Sequence, residues 1–260
     1  KDDERKSFRE DVRAKMLAQI KEHIGNNNLD LDFVAVTGDI AFSGKEYGEA
    51  KSFFKELKSV LPEKTIFLVV PGNHDVDRVY VDEFLSLHEI VRTGKTDRFL
   101  DNKKKIKNDI NDKFRAYRKF SDYLNPALYE SEDDYFWVKN FKDKDVSFLG
   151  LNSAWASESK EDRHNITLGY PQVMRAFTKS NCSTRILLMH HPLFEWFSEE
   201  DFSRYREEIL SRCGLILHGH AHFDTAWLVG TPSSSCINLG ANASYTGDKK
   251  GFIGFQFIKV

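Results

Sequence analysis

Four short groups of polar residues in this chain each follow an apolar run with the composition of a buried strand. Buried strands that deliver polar side chains at their carboxyl ends are the usual way in which an α/β sheet builds a site. We therefore take these groups as the candidate site. They are Gly38-Asp39 after 33–37, Gly72-Asn73-His74-Asp75 after 66–70 and Pro71, His190-His191 after 185–189, and His218-Gly219-His220-Ala221-His222 after 215–217.

The residue types in these groups suit a transition-metal centre. Asp39 is a hard anionic ligand that can bridge two cations, and Asn73 offers a neutral amide oxygen. His190, His220 and His222 offer imidazoles. Mixed carboxylate, amide and imidazole ligation favours Mn, Fe, Zn or Co over Mg or Ca. Two such divalent ions about 3.5–4 Å apart activate water and stabilise an in-line displacement at phosphorus.

His74 and Asp75 are the candidate catalytic residues beside this centre. The His74 imidazole could donate a proton to the leaving group or stabilise charge in the transition state. The Asp75 carboxylate could hold that imidazole in the required tautomer. Two further residues, His191 and Trp196, are candidates for substrate binding, since Trp196 lies in an aromatic loop that follows the histidine pair.

Each group also has a purely structural interpretation when it is taken alone. Asp39 could be a turn or cap residue, and Gly72-Asn73-His74-Asp75 could be an ordinary turn. One member of the His190-His191 pair could be packed and the other exposed. Trp196 could stack on a nucleobase, but a lid or a core position would suit it equally well. The order of all four groups along the chain favours a site.

Taken in order, the motifs resemble the successive signatures of the calcineurin-like metallophosphoesterase family over nearly the whole chain. The resemblance implies an α/β fold, a four-layer α/β/β/α sandwich of two mixed sheets flanked by helices around a two-metal site. It implies that Asp39 bridges the ions and that Asn73, His190 and His220 complete one site. His222 would contribute to the other site, and His74 would be the catalytic histidine.

One family signature is missing from the N-terminal part of this chain. An Asp-x-His at the end of a first strand should precede the first helix, and neither the motif nor the strand is found there. Either the chain is truncated just before Lys1, or it is a one-metal or metal-free relative. We favour truncation, because loss of a central strand would leave its neighbours with unpaired backbone groups.

The rest of the sequence predicts one domain over 1–260 with a helical insertion at about 78–132. Apolar spacing predicts helices over 7–24, 45–60, 171–179 and 201–211. Strands are expected at 33–37, 66–70, 135–138, 146–151, 185–189 and 214–217, and then at 225–229, 235–239 and 252–260. The lysines at 103–105 suit a solvated helix face, with a nucleic-acid contact as the alternative.

Composition excludes several other classes of protein. The net charge of −2 gives no overall reason to expect a polyanion-binding surface, and no apolar run is long enough to span a bilayer. The three cysteines show no paired spacing, which is typical of buried thiols in a reducing compartment. We therefore expect a cytoplasmic protein without a membrane partner.

These observations together predict a metal-dependent phosphoesterase. We expect a phosphodiester substrate, with nucleotides and nucleic acids among the candidates, more than a monoester. The alternative is a catalytically weak or inactive module that binds a phosphorylated ligand as a sensor. In either case the chain could be fused to further domains in a longer protein.

Overall fold

The computed structural model describes residues 2–41, 47–80, 86–158, 161–221, 225–230, 235–242 and 254–260. Helices and strands alternate along most of this length, as the apolar patterns predict. The helices are α1 (Asp2–Asn27), α2 (Tyr47–Val60), α3 (Leu87–Arg92), α4 (Thr96–Leu100), α5 (Lys103–Lys105), α6 (Arg115–Leu124), α7 (Tyr170–Lys179) and α8 (Glu199–Arg212). The strands are β1 (Phe33–Val36), β2 (Ile66–Val69), β3 (Trp137–Phe141), β4 (Val146–Gly150), β5 (Thr184–Leu188), β6 (Leu215–His218), β7 (Thr225–Gly230) and β8 (Ser235–Gly240).

The described strands form two sheets that are flanked by helices. β1 and β2 pair in parallel, with Phe33 opposite Ile66 and Val36 opposite Val69. The second sheet has the order β3-β4-β5-β6-β8-β7 and is mixed, because β3 and β7 run antiparallel to their neighbours. The predicted fold class, a mixed α/β arrangement of the metallo-dependent phosphatase type, is confirmed.

Strand direction explains why the polar groups meet. β4, β5, β6 and β8 are parallel, so the loops that follow them emerge at one edge of the sheet. The loops after β1 and β2 likewise share one edge of their sheet. A hydrogen bond joins the two edges, since Nδ1 of His190 lies 2.7 Å from the carbonyl oxygen of Thr37. The candidate site therefore lies where the ends of both sheets face each other.

The helical segment between β2 and β3 is packed against the outer edge of β2. The Asn125 amide donates to the carbonyl of Phe67 at 3.0 Å. The Tyr117 hydroxyl and the Trp137 indole donate to the carbonyl of Val69 at 3.0 and 2.8 Å. These side chains satisfy the strand carbonyls that point away from β1. The definition of 78–132 as an insertion within a single domain stays a prediction.

The prediction of a strand over 252–260 is wrong for residues 254–260, the part of it that the structure describes. Residues 254–260 have no regular secondary structure, and 252–253 lie outside the described ranges. Instead of pairing through its backbone, this segment packs through aromatic rings, with Phe257 stacked on His23 of α1 at 4.3 Å. None of the helices in the described ranges combines the length and the apolar composition required to cross a bilayer.

Candidate metal centre

The core of the site lies where the loop after β1 contacts the loop after β2. The backbone at Gly38 has φ of +93°, and Asp39 adopts φ of +54°, a left-handed conformation that is uncommon for residues other than glycine. A Cβ atom on Gly72 would lie only 2.2 Å from Oδ1 of Asp39 and 2.4 Å from its backbone nitrogen. The loop after β2 can therefore contact the loop after β1 because residue 72 has no side chain.

Four potential ligand atoms converge at this contact. Nε2 of His190 lies 3.0 Å from Oδ1 of Asn73, 3.1 Å from Nδ1 of His220 and 3.3 Å from Oδ2 of Asp39. Nδ1 of His220 also lies 3.1 Å from the Asn73 oxygen. The structure thus brings together four of the five residues that the sequence predicts as metal ligands. The fifth, His222, lies outside the described residues.

The spacing of these atoms fits a transition-metal ion. With metal–ligand bonds of about 2.1 Å, neighbouring ligands are roughly 3.0 Å apart at right angles and roughly 3.4 Å apart in a tetrahedron. The observed separations of 3.0–3.3 Å fall in this interval. Carboxylate, amide and imidazole ligands are also the set that Mn, Fe, Zn and Co accept. The four residues could therefore hold one divalent ion.

A hydrogen bond at Nδ1 orients the His190 ring in the way that its predicted role as a ligand requires. A carbonyl oxygen can only accept, so Nδ1 carries the proton that is donated to Thr37, and Nε2 faces the cluster. This is the usual arrangement of a metal-binding histidine. Burial alone would lower the pKa of His190, but the Asp39 carboxylate outweighs burial and raises it. The Asp39 charge is therefore the group that favours a positive charge on this ring.

Asp39 is ionised in this environment. Burial opposes the charge, but the adjacent His190 ring and the backbone N–H of His74 outweigh it and hold the pKa of Asp39 below its ordinary value. That N–H donates to Oδ1 of Asp39 at 2.9 Å. His74 itself is half-buried in a short 3₁₀ turn, Asn73–Asp75. The predicted catalytic histidine therefore lies next to the predicted bridging carboxylate.

Asp75 is fully buried and connects the two loops. Its carboxylate accepts hydrogen bonds from the N–H groups of Gly72 at 2.8 Å, Ile40 at 3.1 Å and Ala41 at 3.0 Å. The Tyr47 hydroxyl donates a further bond at 2.8 Å. Burial and then the Asp39 charge raise the pKa of Asp75 to about 6, against the effect of these bonds. The predicted role of Asp75 in orienting the His74 ring stays a prediction.

The two predicted substrate-binding residues lie against the two histidines that are predicted as metal ligands, His190 and His220. The His191 ring is buried, with its centroid 4.9 Å from that of His190 and 4.7 Å from that of His220. The Trp196 indole packs edge-on against His220, with a centroid separation of 4.0 Å. Burial and the charges of the two neighbouring histidines lower the pKa of His191 well below its usual value. His191 is therefore neutral near pH 7.

Two residues in the site were not identified from the sequence. Ser153 accepts hydrogen bonds from the backbone N–H groups of His190 and His191, and its position three residues after the end of β4 could have indicated it by the same strand-end rule. Tyr47 carries no such signal, because its place at the start of α2 is typical of a helix core residue.

Comparison with known proteins agrees with this fold. The sequence profile of the calcineurin-like phosphoesterase family matches residues 10–224. The chain belongs to this family, as the ordered motifs predict, and the family implies divalent-metal-dependent hydrolysis of phosphoesters. A Bacillus subtilis (strain 168) protein, described as the uncharacterized metallophosphoesterase-like protein YydB, is 27% identical over 226 residues. That match covers 83% of this chain but 44% of the relative.

Proposed function

We propose that this chain hydrolyses phosphodiesters at a centre of two divalent transition-metal ions, with manganese as the first candidate. The observation that carries the proposal is the convergence of Asp39, Asn73, His190 and His220 at separations of 3.0–3.3 Å. Four strand-end loops contribute these atoms. When bound, the ions would polarise the phosphoryl group and supply an activated water.

In this proposal the residues of the chain hold the metal ions and stabilise the leaving oxygen of the substrate. Asn73, His190 and His220 would hold one ion, His222 would contribute to the other, and Asp39 would contribute to both. The Asp-x-His pair that the family resemblance implies would complete the second site. His74, half-buried beside Asp39, donates a proton to the leaving oxygen or stabilises its charge. Support for His74 comes from its backbone bond to Asp39, which fixes the turn that carries the ring.

The aromatic loop supports nucleotides as the substrate class within this proposal. Trp196 is half-buried, so part of the indole is accessible beside the ligand histidines. A base stacked on an aromatic ring contributes about 1–3 kcal/mol of binding. We also propose a cytoplasmic location, since Cys182, Cys213 and Cys236 are all buried free thiols.

A metal-dependence assay tests the proposal. The intact protein is stripped with a chelator, reconstituted with Mn²⁺, and assayed on bis(p-nitrophenyl) phosphate and on p-nitrophenyl phosphate. We expect turnover that requires metal and favours the diester, and a loss of about 10²–10⁴-fold in kcat for His74→Ala. His23→Ala is the matched control, because His23 lies on α1 against Phe257 and away from the site.

The same assay separates the enzyme from a sensor module. Metal binding in the intact protein without turnover of either ester would refute hydrolysis and favour a module that binds a phosphorylated ligand. Faster turnover of the monoester would refute the diester preference alone. An Asp39→Asn variant that still binds two ions would contradict the bridging role of this carboxylate.

A further inference from the structure

A shallow surface depression lies on the helical segment between β2 and β3, in the stretch 95–107. This stretch contains six basic and two acidic residues, in a chain whose net charge is −2. The exposed residues that line the depression are Arg98, Asp101, Asn102, Lys103 and Lys104. We refer to the three cations among them, Arg98, Lys103 and Lys104, as the basic patch.

The acidic residues of this stretch are neutralised by cations from other helices. Asp97 pairs with Arg204 of α8 at 2.7 Å, and Asp101 pairs with Arg175 of α7 at 2.6 Å. Within the part of the chain that the structure describes, no carboxylate pairs with a cation of the basic patch. Its positive charge is therefore uncompensated and attracts anions from solution.

The backbone beneath the basic patch is firmly held. Phe99, Leu100 and Ile106 are buried in the core. The Asn102 side chain accepts a hydrogen bond from the N–H of Lys105 at 3.2 Å and so caps the turn that carries the lysines. Only side chains would have to be ordered when an anion binds, and this limits the entropy lost on binding.

The basic patch and the candidate metal centre lie on either side of the loop that follows β4. Phe99, which is adjacent to Arg98 in the chain, stacks on Trp155 of this loop with a centroid separation of 5.6 Å. Ser153 of the same loop accepts a hydrogen bond from the backbone N–H of His190 at 3.2 Å. Because the loop lies between them, a ligand that contacts both the patch and the centre has to extend over several phosphates.

The surroundings of the basic patch favour a nucleic acid over a membrane or a protein partner. Among the described residues, no large apolar side chain between positions 95 and 107 is exposed. The patch therefore offers no apolar group to insert into lipid or to form the core of a protein interface. A nucleic acid needs neither, because basic side chains position it through consecutive phosphates.

We propose that the basic patch binds the phosphate backbone of a single-stranded nucleic acid whose scissile phosphodiester lies at the metal centre. The inference rests on the proposed function and narrows its substrate class from phosphodiesters to polynucleotides. A single strand is the matching form, because Trp196 beside the centre stacks only on an unpaired base. Once the centre holds the strand, the contact with the patch is intramolecular and raises the affinity.

Equilibrium binding of DNA to the intact protein tests the basic patch without turnover. The probe is a fluorescein-labelled single-stranded DNA of about 20 nucleotides, and its anisotropy is measured at several salt concentrations with chelator present. Each neutralised phosphate contributes about −0.7 to the slope of log affinity against log salt concentration. We expect the combined variant Arg98→Gln, Lys103→Gln and Lys104→Gln to reduce this slope by about 2 and to bind about 100-fold more weakly at low salt.

The combined variant Lys15→Gln, Lys21→Gln and Lys55→Gln is the matched control. These three lysines are exposed and lie on α1 and α2, the helices before and after β1. The control changes the net charge by the same amount as the patch variant. We expect its DNA affinity to stay within about threefold of wild type. Equal losses in the two variants would show that net charge alone governs binding, and would refute the proposal.

Turnover by the manganese-loaded protein separates this inference from the proposed function. We expect the patch variant to raise KM for the oligonucleotide at least about tenfold more than KM for bis(p-nitrophenyl) phosphate. Patch-dependent DNA binding by a protein that hydrolyses neither substrate would support the patch and refute the proposed function. Unchanged DNA affinity in the patch variant would refute the patch, as would tighter patch-dependent binding to phosphatidylserine vesicles than to DNA.

Discussion

Gly72→Ala is the substitution for which the structure makes the most specific prediction. The added Cβ would lie 2.2 Å from Oδ1 and 2.4 Å from the backbone nitrogen of Asp39. Normal contacts to a methyl group exceed about 3.2 Å, so the loops after β1 and β2 would have to separate by about 1 Å. Gly72 has φ of −107°, which alanine adopts freely, so the effect is purely steric.

The expected losses of stability, metal affinity and kcat follow from the contacts that this separation would disrupt. Forcing a methyl group into a packed region costs about 1–3 kcal/mol of stability. The shift also moves the Asp39 carboxylate away from His190 and weakens the bond from the N–H of Gly72 to Asp75. A misplacement of about 1 Å at a reacting centre costs about 100-fold in rate. We therefore expect metal affinity to fall at least tenfold and kcat about 100-fold.

Gly48→Ala is the matched control for this experiment. Gly48 is in α2, and nothing lies within 4 Å of the position of its missing Cβ. Alanine there should stabilise the protein by about 0.5–1 kcal/mol, because it lowers the entropy of the unfolded chain and favours the helix. Urea denaturation, manganese titration and diester turnover are measured for both variants. Wild-type metal affinity in Gly72→Ala would refute the close approach of the two loops.

Three further predictions concern the surroundings of the centre. Tyr47→Phe should lower the free energy of unfolding in urea by about 1–2 kcal/mol, since the Asp75 carboxylate loses a buried hydrogen-bond donor. An unchanged free energy would contradict the part of Tyr47 in joining the loops. Burial lowers the pKa of Lys113 to about 8. Between pH 8 and 10.5 the unfolded state therefore binds more protons than the folded state. The free energy of unfolding should rise with pH over this interval, by about 3 kcal/mol in total. Lys113→Met should flatten that rise, and an unchanged slope would show that other groups cause it. Trp196→Ala should reduce kcat/KM about tenfold for a nucleotide diester and less for a small artificial ester. Equal losses would argue against base stacking and would point to the indole's contact with His220.

The residues at the strand ends could be predicted, because each apolar run that indicates a strand is followed by side chains that can ligate a metal. Each apolar run near the site is a strand, and the polar residue that follows it reaches the cluster, as Asp39, Asn73 and His190 illustrate. Parallel pairing brings such residues to one edge without further information. The family and the fold class could therefore be identified from the sequence.

The contacts made by individual side chains could not be predicted in the same way. The sequence places Asp75 beside His74, but its carboxylate accepts bonds from residues about 35 positions earlier, which only the loop packing reveals. The segment 254–260 has β-like composition, yet its ring contact with α1 replaces strand pairing. Strand propensity depends on whether a neighbouring strand is present, and a single sequence does not give that neighbour.

The hydrogen bonds at the outer edge of β2 affect the tendency of this chain to aggregate. A strand with free carbonyls would act as a template for another chain. Here Asn125, Tyr117 and Trp137 occupy those carbonyls, so side chains from outside the sheet take the place of a further strand. The helices between β2 and β3 thus protect the strand that precedes the turn Asn73–Asp75. Removing these helices would leave carbonyls of β2 without their donors, and we expect the exposed strand edge to promote aggregation.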